Sequence, residues 1–115
     1  MLRKLAKSAA FHKLPAGVHC YDVSKDGTLG KKRFAIKEGS DGMKIDVKGN
    51  LYTTHGKVRV YDAEGALLEQ IDVPEGPANL AFGGDDFKTL FITARTSLYS
   101  IRVIHAGAKP PGAKW

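Results

Sequence analysis

The carboxylate of Asp41 is the residue whose surroundings most suggest chemistry. It stands before Gly42 and Met43, where a predicted strand begins. A carboxylate is a suitable ligand for a hard divalent cation. Asp-Gly pairs are also common in turns, where the aspartate side chain binds its own backbone. From these residues alone, a metal-ligand role and a turn role both remain open for Asp41, and the turn role is the commoner one.

Other reactive side chains lack the spacing that chemistry requires. Ligand spacing such as i, i+4 does not occur among the four histidines, so no histidine metal site is predicted. No Gly-x-Ser-x-Gly motif marks a nucleophilic serine. The single cysteine, Cys20, excludes an internal disulfide and a Cys-based zinc knuckle. Structural or surface positions are expected for Asp46, which would order the Gly49-Asn50 turn, for Asp85-Asp86 and for Arg95.

The net charge of +6 is concentrated at the two ends of the 115-residue chain. Residues 1–14 carry four basic side chains and residues 87–115 carry five, with no acid in either segment, whereas residues 15–86 are acidic overall. A nucleic-acid-binding face would need clustered basic residues, so nucleic acid is not expected as a partner. No apolar run approaches the roughly 20 residues that span a bilayer, so a membrane partner is not expected either.

Short strands and glycine-rich turns dominate the chain after Gly17. The β-prone runs recur at about ten-residue intervals, with turn signals such as Lys25-Asp26-Gly27 between them, which is typical of an all-β fold. Before them, the apolar spacing over Met1–Leu14 fits one face of a short helix that Pro15 ends. We therefore expect a helical or irregular lead-in over residues 1–15.

The strands also repeat with a period near 40 residues. Val18–Tyr21 aligns with Val58–Tyr61 and with Leu98–Ile101, and Leu51–Thr54 aligns with Leu90–Thr93. A period near 40 with about four strands per unit predicts β-propeller blades, and an unrelated β-meander is the alternative. The prediction is a partial propeller over residues 16–104, about two and a half four-stranded blades, followed by a tail over residues 105–115.

Two long segments resemble the gluconolactonase/regucalcin family of senescence-marker-protein-like propellers. The first is Ser40-Asp41-Gly42-Met43-Lys44-Ile45-Asp46-Val47-Lys48-Gly49-Asn50-Leu51-Tyr52, which is similar to the family's Pro-Asp-Gly-Met-x-x-Asp-x-x-Gly-Asn-Leu-aromatic segment. The second runs from Pro77 to Arg95 and resembles the next blade of the same family. The match extends from about Tyr21 to Val103, in the order of the family's C-terminal half.

This resemblance implies a six-bladed propeller with one divalent cation, calcium or zinc, in a central tunnel, and hydrolysis of sugar lactones. The family's Asp-Gly-Met aspartate corresponds to Asp41, which would hold the cation. The cation would polarise the lactone carbonyl, and Asp41 would also take a proton from the attacking water. Asn79 either faces the tunnel or caps its strand. Ser40 replaces the family's usual proline, and we expect this change to loosen the turn.

The remaining ligands of the family lie in segments that have no counterpart in this sequence. One carboxylate cannot hold a calcium ion, which takes about six to eight oxygen ligands. We therefore expect a fragment or short form of a metal-dependent lactone hydrolase that is inactive alone. The competing hypothesis is a non-catalytic interaction module that associates through open sheet edges. The lack of disulfides favours the cytoplasm over the periplasm.

Overall fold

The computed structural model describes residues 17–109 in full and Ala9–Leu14 as backbone. These residues form ten β-strands in three antiparallel sheets, and within each sheet the strands pair in chain order. The described part of the chain contains no helix, and so none that could cross a membrane. The all-β prediction is confirmed.

Each sheet is a meander of consecutive strands. The first sheet contains β1 (Ala9–Leu14), β2 (Gly17–Val23) and β3 (Leu29–Ile36). The second contains β4 (Met43–Ile45), β5 (Leu51–His55), β6 (Lys57–Tyr61) and β7 (Leu67–Ile71). The third contains β8 (Pro77–Gly83), β9 (Thr89–Ala94) and β10 (Ser97–Arg102).

The strand register bears out the predicted repeat. Tyr52 pairs with Val60 in the second sheet, and Phe91 pairs with Ser100 at the equivalent place in the third. Strands β2, β6 and β10 therefore hold the same position in their sheets, as the alignment of Val18–Tyr21 with the two later segments predicts. Three such sheets in sequence form a partial β-propeller.

The helix predicted over Met1–Leu14 is wrong for Ala9–Leu14, which form β1 instead. Residues 1–8, the rest of that prediction, lie outside the described part of the chain. The backbone of β1 pairs with β2 from Ala9↔Asp22 to Leu14↔Gly17. This pairing satisfies the backbone N–H and C=O groups of one edge of β2, which a helix would leave without partners in the sheet. The first sheet thus begins before residue 16 and has three strands.

Aspartate turns connect several strands, and Asp46 orders its turn as predicted. The Asp46 side chain accepts the N–H groups of Lys48 and Asn50, at 2.9 and 3.0 Å. Asp62 accepts the N–H groups of Glu64 and Ala66 in the same way, both at 2.9 Å. Gly49 and Gly65 close these turns with φ of 86° and 89°, a conformation that glycine adopts without steric cost.

Two apolar clusters join the sheets face to face. Val18 and Ile36 of the first sheet pack against Leu51 and Tyr61 of the second. A second cluster joins the second sheet to the third through Tyr52, Val58, Val60, Leu80, Leu90 and Ile92. Because side chains alternate along a strand, the second sheet uses one face for each neighbour.

The segment predicted as a tail is bound to the second and third sheets as far as it is described. Val47 donates its N–H to the Ala106 carbonyl, and Ala108 donates to the Ile45 carbonyl, both at 2.9 Å. Gly107 donates to the Phe87 carbonyl at 2.9 Å. Residues 106–108 therefore pair beside the end of β4. Residues 110–115 lie outside the described part.

Candidate functional site

The candidate site lies where β4 begins and consists of Ser40, Asp41, Gly42, Thr54 and Asn79, which we call the rim cluster. Asp41 lies two residues before this strand, and its side chain is exposed. Its backbone N–H donates to the Thr54 carbonyl at 3.0 Å, and the Gly42 N–H donates to the Thr54 hydroxyl at 2.9 Å. The fully buried Thr54 therefore fixes the backbone that carries the Asp41 carboxylate.

Asn79 of β8 lies against Gly42, next to Asp41. A Cβ atom at position 42 would overlap the Asn79 side chain, so only glycine lets the two strands approach this closely. Thr54 also donates to the Ala78 carbonyl at 3.3 Å, which links β8 to the same cluster. The structure thus places Asn79 against the residue that follows Asp41.

The exposed Asn79 side chain also has a local role, because its Oδ1 accepts the N–H of Leu80 at 2.8 Å. This bond lies within β8 and gives Asn79 a local structural role beside the tunnel-facing role that the sequence also left open.

Ser40 tightens the turn before Asp41, which corrects the expectation that it would loosen it. Its hydroxyl donates to the Gly42 carbonyl at 2.6 Å and accepts the Thr54 N–H at 3.0 Å. The side chain is buried, so neither bond competes with bulk water. A proline at this position would restrict the backbone but could make neither hydrogen bond.

A second carboxylate, Glu75, lies two residues before β8, and its oxygens are already hydrogen-bonded to other side chains of the chain. Its side chain accepts hydrogen bonds from the Thr96 hydroxyl at 2.7 Å and from the Tyr99 hydroxyl at 2.8 Å. Hydrogen bonds from Ser97, Thr96 and Tyr99 lower the pKa of Glu75 to about 2. These bonds tie the loop before β8 to the turn between β9 and β10.

The remaining singled-out carboxylates have structural or surface positions. Asp46 is fully buried at the opposite end of β4 and accepts further bonds from Asn50 Nδ2 at 2.9 Å and the Tyr52 hydroxyl at 3.3 Å. Burial, followed by the Asp46 charge, raises the pKa of Tyr52 well above its usual range. Asp86 is exposed and binds Arg102, whose hydrogen bond is the largest of the effects that lower the Asp86 pKa to about 2.

The described residues do not by themselves form a metal centre. They contain no group of three or more His, Cys, Asp or Glu side chains that could hold an ion. The register pairs His12 with His19 across β1 and β2, a juxtaposition that a search for helical spacing misses. Two histidines remain fewer than a zinc site uses, and His55 and His105 lie on other elements.

Sequence reasoning missed the two hydroxyl residues of the rim cluster, Ser40 and Thr54. The available signal was Thr54, a polar residue in the β-prone run that begins at Leu51. Buried hydroxyls in such runs need hydrogen-bond partners, and here the partners come from the backbones of two other strands. That pairing depends on sheet packing, which a single sequence does not reveal.

Comparison with known proteins covers the rim cluster and at least part of each of the three sheets. The protein-family model described as the SMP-30/Gluconolactonase/LRE-like region matches residues 13–96 of this chain. The pentonolactonase of Haloferax volcanii is 32% identical over 83 residues, which are 65% of this chain and 28% of the relative. The chain therefore spans less than a third of that enzyme.

Solved structures show the same architecture. A gluconolactonase from Xanthomonas campestris superposes with a TM-score of 0.65 at 27% identity, over 76% of this chain and 30% of that one. The calcium-binding protein regucalcin from Agrobacterium tumefaciens superposes with a TM-score of 0.55 at 26% identity, over 68% of this chain and 30% of that one.

Proposed function

Because the chain belongs to the SMP-30/gluconolactonase/LRE-like family, we propose that it supplies one sector of a divalent-cation-dependent sugar-lactone hydrolase, with Asp41 as one ligand of the cation. The lactonase names of its relatives support lactones as the substrate class. The name of the calcium-binding relative supports calcium as the first cation to test, and zinc is the second. The chain spans less than a third of the pentonolactonase, so the hydrolase activity is proposed for a completed ring and not for these three sheets alone.

The observation that carries this proposal is the position of the Asp41 carboxylate. It is exposed two residues before the first strand of its sheet, and Asn79, the third residue of β8, lies against the adjacent Gly42. Ser40 and Thr54 fix the backbone beneath it with buried hydrogen bonds. A backbone held in this way presents an exposed carboxylate one residue from the glycine that Asn79 contacts, and oxygen-bearing side chains are the ligands that a hard cation prefers.

The described residues fit only part of such a site. Asp41 and Asn79 offer two oxygen-bearing side chains, whereas calcium takes about six to eight oxygens. No catalytic step is therefore assigned to this chain alone. The role proposed for Asp41 is to hold the cation within a completed ring.

Calorimetric titration of the chain with calcium and with zinc, paired with the substitution Asp41→Ala, tests this role. Removing a residue that only hydrogen-bonds to a metal ligand already lowers the affinity for the metal about 10–100-fold. We expect Asp41→Ala to weaken binding by at least about tenfold.

Asp85→Ala is the matched control, because it removes an exposed carboxylate from the turn between β8 and β9. This variant should bind calcium and zinc as the wild-type chain does. Equal losses in the two variants would mean that the cations respond to surface charge in general, and the proposal for Asp41 would then fail.

A further inference from the structure

The two outer sheets present faces whose equivalents inside the molecule are buried. We call the face of a sheet that points toward the next sheet in the chain its forward face, and the opposite one its backward face. The forward face of the first sheet contains Val18 and Cys20, and that of the second contains Tyr52, Val58 and Val60. These faces pack against the backward faces of the second and third sheets.

The forward face of the third sheet has no neighbour among the described residues. The register places Leu98 at the position of Val58, and Phe91 at the position of Tyr52. Val58 is 0% and Tyr52 5% exposed, whereas Leu98 is 66% and Phe91 37% exposed. The third sheet thus exposes large apolar side chains at positions that the second sheet uses for sheet packing.

The backward face of the first sheet is the complementary surface. It contains His19, Tyr21 and Ala35, because these residues alternate with Val18, Cys20 and Ile36 on the other face. Tyr21 holds the position of Tyr61, which is buried against the first sheet. Nδ1 of His19 is buried and finds no hydrogen-bond partner among the described residues.

We propose that two copies of this chain stack head to tail, with the forward face of each third sheet on the backward face of the other copy's first sheet. This contact continues the packing that already joins the three sheets within one copy. Three sheets cover half of the six-bladed ring of this family, so two such contacts close the ring and leave no face exposed. The resulting assembly is a two-fold symmetric dimer.

The outer strand of the first sheet argues against the alternative association through sheet edges. β3 carries Lys31, Lys32 and Arg33 in succession. Charged side chains on an edge strand, lysine above all, disfavour pairing with another edge. Face-to-face stacking does not require this edge to pair.

The ring also bears on the proposed cation site, and this consequence rests on the function proposed above. The two copies of β4 would lie across the axis from each other, each with its own rim cluster. Two Asp41 carboxylates and two Asn79 amides would then surround one axial position. A single cation per two chains is the expected stoichiometry.

Sedimentation equilibrium of the 115-residue chain tests the ring. The expected mass is twice the 12.4 kDa of one copy. Leu98→Glu places a charge in the proposed contact, and we expect it to raise the dissociation constant by about tenfold or more. Leu98 is exposed within one copy, so the variant should keep the wild-type circular dichroism spectrum. Ala35→Glu, on the opposite face, should have the same effect.

Leu29→Glu is the matched control, because Leu29 is 50% exposed on the edge strand β3. It should leave the dimer intact. The ring would be overturned if the chain stayed monomeric at every concentration or grew into larger oligomers. It would also be overturned if Leu29→Glu, rather than Leu98→Glu, dissociated the dimer. A stable dimer that binds neither calcium nor zinc would support the ring and overturn the cation role of Asp41.

Discussion

Asp46 shows how a single side chain stabilises one end of a blade. It is fully buried and accepts hydrogen bonds from two backbone N–H groups, the Asn50 amide and the Tyr52 hydroxyl. Asp46→Ala would leave these donors without their acceptor in the protein interior. Because each unpaired buried group costs about 1–3 kcal/mol, we expect a loss of about 2–4 kcal/mol in the free energy of unfolding, measured with urea.

Asp62→Ala is the comparison for Asp46, because Asp62 forms the same turn but is only half-buried. Water can reach the donors that this change releases, so the expected loss is about 1 kcal/mol. Equal losses in the two variants would show that the buried contacts of Asp46 add nothing beyond the turn.

Glu75 makes the stability of the third sheet depend on pH in the acidic range. Its pKa falls from 4.5 to about 2 in the folded chain. A carboxyl group whose pKa is lower in the folded state stabilises the protein above its unfolded pKa, and this contribution is lost as the pH falls toward the folded pKa. We expect Glu75→Gln to flatten the decline in urea midpoint between about pH 4.5 and pH 2. If the urea midpoint of this variant declined with acid as steeply as that of the wild-type chain, Glu75 would not be the group responsible.

At the residue scale the sequence predicts Asp41 and Asn79 as candidates, and the structure places Asn79 against Gly42, the residue after Asp41. Their support by Ser40 and Thr54 could not be predicted. Hydroxyl side chains form hydrogen bonds with whatever backbone comes near, and that backbone is set by the packing of β4, β5 and β8.

Strands and turns were the most predictable level of the molecule. The alignment of β2, β6 and β10 and the Asp-x-x-Gly turns follow from local patterns that depend on few distant contacts. β1 was not predictable, because its apolar spacing also fits a helix and only the edge of β2 decides between them. The binding of residues 106–108 beside β4 depends on distant pairing in the same way.

The segment around Gly107 can be tested as an element. A Cβ atom at Gly107 would overlap the ring of Phe82, so Gly107→Ala must displace either the ring or the segment. Overpacking of this kind costs about 1–3 kcal/mol in the free energy of unfolding. Hydrogen exchange at the Val47 amide, which donates to Ala106, should become faster. Gly39→Ala is the control, because a Cβ atom at Gly39 meets no atom within 4 Å, and its expected effect is within about 0.5 kcal/mol.

For the whole molecule, charge opposes the proposed ring. Each copy carries a net charge of +6, so two copies repel each other at low ionic strength. Raising the salt concentration from about 0.05 to about 0.5 M screens this repulsion and strengthens apolar contact. We expect the dissociation constant of the dimer to fall severalfold over this range. A rise with salt would mean that opposite charges, rather than apolar faces, hold the copies together.

The buried thiol of Cys20 gives the chain a built-in reporter. Cys20 is the single cysteine, is 1% exposed, and shares the side of β2 that Val18 presents to the second sheet. Burial raises the pKa of this thiol. The thiol is therefore both shielded from reagents and un-ionised as long as the first sheet packs against the second. The rate at which an alkylating reagent labels Cys20 therefore reports how often the first and second sheets separate. No engineered probe is needed.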